Sequence, residues 1–465
     1  MNLAAHTVEH MPPPPRFRAL LGPSFILLGL GLGSGELILW PFLTSNYGMG
    51  IIWGAVLGIT MQFFINMEIE RYSLVRGESI FVGFARKLSG LPFWFIFSTF
   101  IGFGWPGIVG ASAKLVGNVF GIDESHYVAM GMLVLMGLIL TLGPVLYKTV
   151  ERVQMGLIAI GVPSIFILVL LLADPVSWVS FFKGLVGVGG GYFLLPEGLP
   201  IASFLAAFAF AGAGGNLNLA QSFYIKEKGY GMGRFSGRIT SILTGKVENI
   251  KLEGARFEMD KENLGRFRKW WELINREHLL VFWATGAFTI SLLGLLAYAT
   301  VFGKTTPAAG INFVLYEAAE IGLQTAPIIG TIFLVLGGVM LFATQMTVLD
   351  ATSRVMAENL LLIRSQVWKP KILPSIYYSF LWAQIVFGAI VFLTNLREPL
   401  FLLTLGAVIN AGAMAVHVAL TLWLNITSLE RQLRPSLLRQ GAMVAAFLFL
   451  GYFTARVLLE SVFKV

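Results

Sequence analysis

Residues 22–43 read GPSFILLGLGLGSGELILWPFL. About twenty mostly apolar residues suffice to cross a bilayer as a helix, and this stretch has that length. Its centre is unusual. Gly29, Gly31, Gly33 and Gly35 fall within seven positions, and Ser34 and Glu36 interleave with and follow them. Glycine has high backbone freedom, so such a run weakens a helix. Free backbone groups at mid-membrane are tolerated only where they line a cavity. A second run, FAGAGGNLN at 210–218, repeats the pattern with Gly212, Ala213, Gly214, Gly215, Asn216 and Asn218.

Around these two runs the chain is apolar throughout. Of its 465 residues, 56% are hydrophobic and 12% charged, and the mean hydropathy is +0.77. Soluble domains carry about a quarter charged residues, so the composition is that of a membrane protein. The apolar runs are continuous, unlike the weak alternation of a barrel, which predicts an all-α integral membrane protein. Spans are expected at roughly 20–43, 50–73, 92–119, 126–147, 153–173, 199–222, 279–302, 325–349, 374–394, 399–424 and 439–460. About eleven spans place Gly33 and Gly214 in the middles of the first and the sixth. That is the relation of two five-span inverted repeats whose interrupted first helices meet at a midplane site. The corresponding domains are a disordered cytoplasmic N-terminus at 1–19, a first repeat at 20–173 and an extracytoplasmic linker at 174–198. A second repeat at 199–424 contains a long loop at 223–278, and 425–465 holds the last span.

The net charge of +8 does not point to nucleic acid, because the basic residues lie between the spans. Arg71, Arg76, Arg86 and Lys87, then Lys148 and Arg152, then Arg354, Arg364, Lys369 and Lys371 fall on one side. Arg431, Arg434 and Arg439 join them, with Lys226, Lys228, Arg234, Arg238, Arg266, Arg268 and Lys269 of the long loop. The other side holds little beyond Lys183, Lys304 and Arg397. The positive-inside rule then puts the chain in the plasma (inner) membrane with a cytoplasmic N-terminus and an extracytoplasmic C-terminus. Phe267 to Ile274 forms an amphipathic stretch that fits a surface-lying helix or a solvated connector. Ile311 to Leu323 reads as a short amphipathic helix on the outer side.

With no cysteine in the chain, disulfides, thiolate metal sites and cysteine nucleophiles are excluded. No phosphate loop, HExxH or serine elbow is present, so an enzyme is not expected and no cofactor is implied. Glu36 is the first candidate for chemistry, since a carboxylate within the membrane marks an ion pathway or proton relay. Its alternative is to cap a half-helix beside Ser34, just as the glycines can serve close packing. Lys114 either snorkels or lines a pathway. Asp350, Arg354 and Glu358 stack at i, i+4, i+8 as an ion-pair ladder, with Asp350 able to reach a vestibule. Gln345 and Thr347 can line a site. Asn410 and His417 read by default as satisfied buried polar residues, with Asn410 a further pathway candidate.

The chain resembles the Nramp family of divalent-metal transporters, which have the LeuT-like fold. The likeness covers most of the chain: Gly22-Pro23 opening the first span, LYKTVERVQMGLIAIGV at the fourth–fifth junction, Ala173-Asp174-Pro175 before KGLV, NLNLAQS, and TSRVMAENLL. The resemblance implies a secondary transporter. Where the family carries Asp-Pro-Gly-Asn, this chain has Gly33-Ser34-Gly35-Glu36. Where the family carries Met-Pro-His, it has Ala213-Gly214-Gly215. Without the soft thioether, the remaining oxygen donors suit a hard, Mg²⁺-like ion better than a transition metal. The expected substrate is a small cation held by Glu36, Asn216, Ser34 and backbone carbonyls. An alternative is an amino acid or similar organic solute, bound by its carboxylate at the glycine breaks. A non-transporting sensor or scaffold is the third reading. Proton coupling or none is expected rather than sodium.

Overall fold

The computed structural model describes residues 4–143, 146–236, 251–304, 310–394 and 396–463. Part of the long loop, with Arg238, lies outside them. Ten helices are long and apolar enough to cross a membrane: Pro23–Tyr47, Met49–Arg76, Leu91–Val119, Ser125–Leu142, Lys148–Leu172, Lys261–Val301, Pro327–Ile363, Pro370–Leu393, Pro399–Ser428 and Leu437–Glu460. The expected sixth span is absent from that set because it is two short helices, Ile201–Ala209 and Leu217–Lys228, with a non-helical gap between them. Counting it in chain order gives spans 1 to 11, and the chain is an integral membrane protein.

Span 1 is interrupted differently. Pro23–Gly31 is α-helical, Leu32–Leu39 is π-helical and Trp40–Tyr47 returns to α. The glycine run therefore widens the helix by one residue per turn without opening it, the form in which π segments usually occur.

Span 3 contains a break that its apolar pattern conceals. Its two halves, Leu91–Phe103 and Gly107–Val119, are joined at residues 104–106. Pro106 has no N–H to donate to the carbonyl four residues back, that of Gly102. Asn410 of span 10 supplies the missing donor, its Nδ2 reaching Gly102 O at 2.8 Å.

The N-terminal arm, expected to be disordered, is pinned instead. Thr7–Val8 pairs in parallel with Ala255–Arg256. Met11 is fully buried, and its N–H donates to Asn263 Oδ1 at 2.9 Å. Trp270 Nε1 donates to Pro12 O at 2.7 Å. Backbone groups that find partners have no reason to stay in solvent. The amphipathic stretch 267–274 belongs to the helix Lys261–His278, which starts at an Asp260 cap and runs into span 7. The outer amphipathic helix is present as Asn312–Gln324.

Candidate functional site

The break in span 6 is made by Gly214 and Gly215, whose φ values of +70° and +53° are costly for any residue with a Cβ. The broken ladder leaves donors and acceptors that must be satisfied elsewhere. Gln62 of span 2 does this from one side. Its Nε2 donates to Ala209 O at 2.9 Å, and its Oε1 accepts from Gly214 N at 3.2 Å and Asn218 Nδ2 at 3.1 Å. Asn218 Nδ2 also donates to Asn66 Oδ1 at 2.7 Å. His417 of span 10 holds the other side, with Nε2 2.9 Å from Gly215 O. Asn216 Nδ2 donates to Ser98 Oγ and Thr99 Oγ1 of span 3 at 2.8 and 2.9 Å.

Span 1 meets this break backbone to backbone. A β-carbon on Gly31 would sit 2.8 Å from the Gly212 backbone, and one on Gly35 would overlap the Phe210 carbonyl. Gly33 faces Thr344 of span 8, whose Oγ1 donates to Gly29 O at 2.8 Å. The two glycine runs are thus in contact, and close packing is one of their uses. Ala213 and Ser34 are buried at the same junction.

Glu36 is fully buried, but it does not join the polar residues around the gap. Its Oε1 lies beside Gly286 of span 7, 3.6 Å from where a β-carbon there would stand, in a space shared with Leu28 and Ile59. Neither carboxylate oxygen has a hydrogen-bond partner among the described residues. The π segment has no side-chain cap, so the capping role considered for Glu36 and Ser34 is not adopted. A carboxyl group in that setting requires a proton or a cation beside it. Asn216 turns toward span 3, away from it, so the pair expected to ligate a metal is not brought together by any hydrogen bond. Among the described residues no three His, Asp or Glu side chains converge to hold a metal ion.

What gathers at the gap is neutral. A small cavity of about 10 Å³ is lined by Phe103, Trp105, Ile108, Phe210, Gln345 and Val348, with Gly102, Leu402, Leu403 and Gly406 completing it. The Phe103 and Phe210 rings stack at 6.0 Å. Gln345 Oε1, Asn410 Oδ1, Asn216 Oδ1 and the Trp105 indole N–H are buried without a partner among the described residues. Asn410 sits between Gly102 and Gly215, touching both helix breaks. Asn410 and Gln345 are therefore at the junction, as is His417, whose bond to Gly215 O makes it the satisfied buried polar residue expected, while Gln62 and Trp105 are functional candidates that sequence reading passed over. Pro106 was the available signal: a proline inside an apolar span frees a carbonyl and calls for a donor from another helix.

The two ends of the bundle differ. At the end away from the basic loops, a cavity of about 750 Å³ is lined by Leu43, Lys114, Ser203, Asn312, Glu398 and Thr404 among others. Lys114 thus faces this vestibule. At the basic-loop end, buried ion pairs bind span 6 to span 8. Arg354 Nε pairs with Asp350 at 2.9 Å and its Nη1 with Glu227, while Lys226 pairs with Glu358 at 3.4 Å. Tyr377 OH donates to Asp350 Oδ1 at 2.8 Å. Asp350 belongs to this clamp.

The fold matches solved structures of transporters. The chain aligns over 99% of its length, and 92% of theirs, with a histidine-to-alanine mutant of the Eremococcus coleocola manganese transporter, at TM-score 0.69 and 13% identity. The fold is Nramp-like. A second structure of that transporter, in complex with an aromatic bis-isothiourea substituted compound, aligns over 97% of this chain and 90% of that one, at TM-score 0.67 and 13% identity. MhsT in complex with L-phenylalanine aligns over 94% of this chain and 98% of its own, at TM-score 0.51 and 15% identity. At these identities the likeness establishes the Nramp-like, LeuT-like fold. No protein-family model and no curated protein matches the sequence.

Proposed function

We propose that the chain is a secondary transporter that carries a small solute by alternating access, its two five-span repeats rocking about the junction of spans 1, 3, 6 and 10. The observation that carries this is the asymmetry around one interrupted site: a vestibule on one side of the gap and a buried ion-pair clamp on the other. The positive-inside rule, applied to the basic loops, supports a cytoplasmic position for the clamp and the N-terminus.

Of the substrate classes, a small organic solute fits the lining best. Phe103, Phe210, Ile108 and Val348 offer apolar contact, while Gln345 Oε1, Asn410 Oδ1 and the Trp105 N–H offer two acceptors and a donor. Binding sites for organic ligands combine such walls with a few oriented polar groups. The cavity holds no more than about one water, so it describes a closed site that widens when the helices part. The cation reading retains one specific support: unpartnered amide oxygens of Asn216, Asn410 and Gln345 are the hard donors such an ion takes.

A thermal-shift screen of the purified chain against small zwitterions and against MgCl₂ and MnCl₂ separates the two. A zwitterion should raise the melting temperature, and Gln345→Ala should abolish that shift. A shift with a divalent chloride alone, insensitive to Gln345→Ala and Asn410→Ala, would overturn the organic reading.

A further inference from the structure

A second buried polar cluster lies apart from the gap, near the basic-loop end, where spans 1, 2, 6 and 7 meet. Ser24 opens span 1, Glu70 is on span 2, Gln221 on the second half of span 6, and Glu277 and His278 are adjacent at the base of span 7. All five are at most 2% exposed.

They form one chain of contacts. Ser24 Oγ hydrogen-bonds Glu277 Oε2 and lies 2.8 Å from His278 Nδ1. The same imidazole nitrogen is 3.4 Å from Glu70 Oε1, which also accepts from Gln221 Nε2 at 2.5 Å. Glu277 Oε1, Gln221 Oε1 and His278 Nε2 have no partner among the described residues. The imidazole is stacked on Phe63 and Phe282 at 5.6 and 4.7 Å. Neighbouring charges are committed elsewhere. Arg71 pairs with Glu68 at 2.7 Å, Arg439 with Glu68 at 3.4 Å, and Lys228 with Glu151 at 2.6 Å. No Lys or Arg side chain is bonded to Glu70 or Glu277 among the described residues. Two carboxylates in such a place cannot both stay charged without a large desolvation and repulsion cost.

The Ser24 hydroxyl has one proton to give and touches two acceptor-capable groups. If Glu277 carries a proton, it donates to Ser24, and Ser24 donates to the Nδ1 lone pair of a neutral His278 protonated at Nε2. If that proton leaves, Ser24 donates to the Glu277 carboxylate, and His278, now protonated at Nδ1, donates to Ser24 and faces Glu70. The two arrangements differ by one proton, and the direction of the chain reverses between them.

We propose that Ser24, Glu70, Glu277 and His278 form a binding site whose ligand is a single proton, and that its occupancy holds the basic-loop ends of spans 1, 2, 6 and 7 together. With the proton bound, the four helices share a closed network. Its loss leaves two negative charges, on Glu70 and Glu277, in one buried cluster with no Lys or Arg bonded to either among the described residues, and their repulsion loosens that end. The proton site rests only on these contacts, while its use in opening the basic-loop end rests on the transport reading.

The test uses the full-length chain in detergent and needs no substrate. In the Glu317→Gln background, which removes the buried carboxyl of the helix Asn312–Gln324, infrared difference spectra between pH 5 and pH 9 should show a protonated-carboxyl band that titrates. Glu277→Gln or Glu70→Gln should remove or shift it, and Glu36→Gln should leave that titration in place. A band insensitive to both Glu70→Gln and Glu277→Gln overturns the site. A reporter at Ser222→Cys, the sole thiol in this cysteine-free chain, reads the opening. Relative to the same reporter with both glutamates replaced by glutamine, its maleimide labelling should rise about tenfold from pH 6 to pH 9. Equal pH dependence in the two backgrounds overturns the link to opening while leaving the proton site standing. A titrating band in a chain that transports no solute separates failure of the transport reading from failure of this one.

Discussion

Spans 1 and 6 carry closely similar glycine runs and respond to them in opposite ways. Span 1 keeps a continuous, widened helix across Leu32–Leu39, whereas span 6 stops at Ala209 and restarts at Leu217. Glycine content therefore does not decide whether a membrane helix breaks. What differs is the supply of replacement partners. Span 6 has Gln62 and His417 reaching its freed backbone, while the glycine run of span 1 receives, among the described residues, one hydroxyl, from Thr344 to Gly29 O. In a medium without water, a helix opens only where other side chains take over its hydrogen bonds.

The sharpest way to break that comparison is to fill the contact between the two runs. Gly35→Val would drive side-chain atoms into the Phe210 carbonyl, and such overpacking costs about 3 kcal/mol or more when backbone cannot yield. Little folded protein should survive size-exclusion chromatography, and a normal monodisperse peak would contradict the backbone contact. Next comes Gln62→Leu, which strands Ala209 O and Gly214 N–H in the core. At about 1–3 kcal/mol for each of the two stranded groups, the loss should be roughly 2–6 kcal/mol in denaturant titration. Thr344→Val in span 8, which removes the one hydroxyl given to the glycine run of span 1, should by comparison cost only about 1 kcal/mol. Equal losses would erase the distinction drawn between the two helices.

A pH scan sharpens the comparison by separating the breaks from the outer helix. Glu317, on the helix Asn312–Gln324 outside the membrane spans, is fully buried, and burial pushes its carboxyl up to about 8. Between about 4.5, its unfolded value, and 8 the folded chain keeps a proton that the unfolded chain loses. Stability from this group is therefore full below pH 4.5, falls as pH rises, and levels off above 8. Glu317→Gln should flatten that decline by up to a few kcal/mol, read from melting temperatures at pH 5 and pH 9. An unchanged slope would remove Glu317 as its source. The smallest effect is expected from Glu36→Gln. A carboxyl without partners loses no hydrogen bond on becoming an amide, so stability should move by about 1 kcal/mol or less. A fall above about 3 kcal/mol would reveal a buried ion pair at Glu36.

Much of this fold was legible in the chain. Hydropathy and loop charge gave the spans, and the family resemblance implied the LeuT-like fold that the solved structures bear out. The site was less legible. Glu36 stood out as the one acid in the first run, yet a helix turn separates what adjacent residues face: Gly35 touches span 6 and Glu36 touches span 7. Asn410 and His417 looked like ordinary buried polar residues because their partners, Gly102 O and Gly215 O, are backbone groups freed by breaks in other helices. Gln62 was invisible for the same reason. The break in span 3 was signalled by Pro106 alone, inside an otherwise unbroken apolar run.

Accessibility of one residue from each side of the membrane tests alternating access most directly. Leu403→Cys lines the small cavity by the gap in a chain with no other thiol. In right-side-out and inside-out vesicles, an impermeant maleimide should label it faster from the vestibule side, where the clamp does not have to open first. Adding Arg354→Gln, which removes the pairs to Asp350 and Glu227, should admit label from the basic-loop side. Faster labelling from the basic-loop side in the parent, or no change when Arg354 is replaced, would contradict the account.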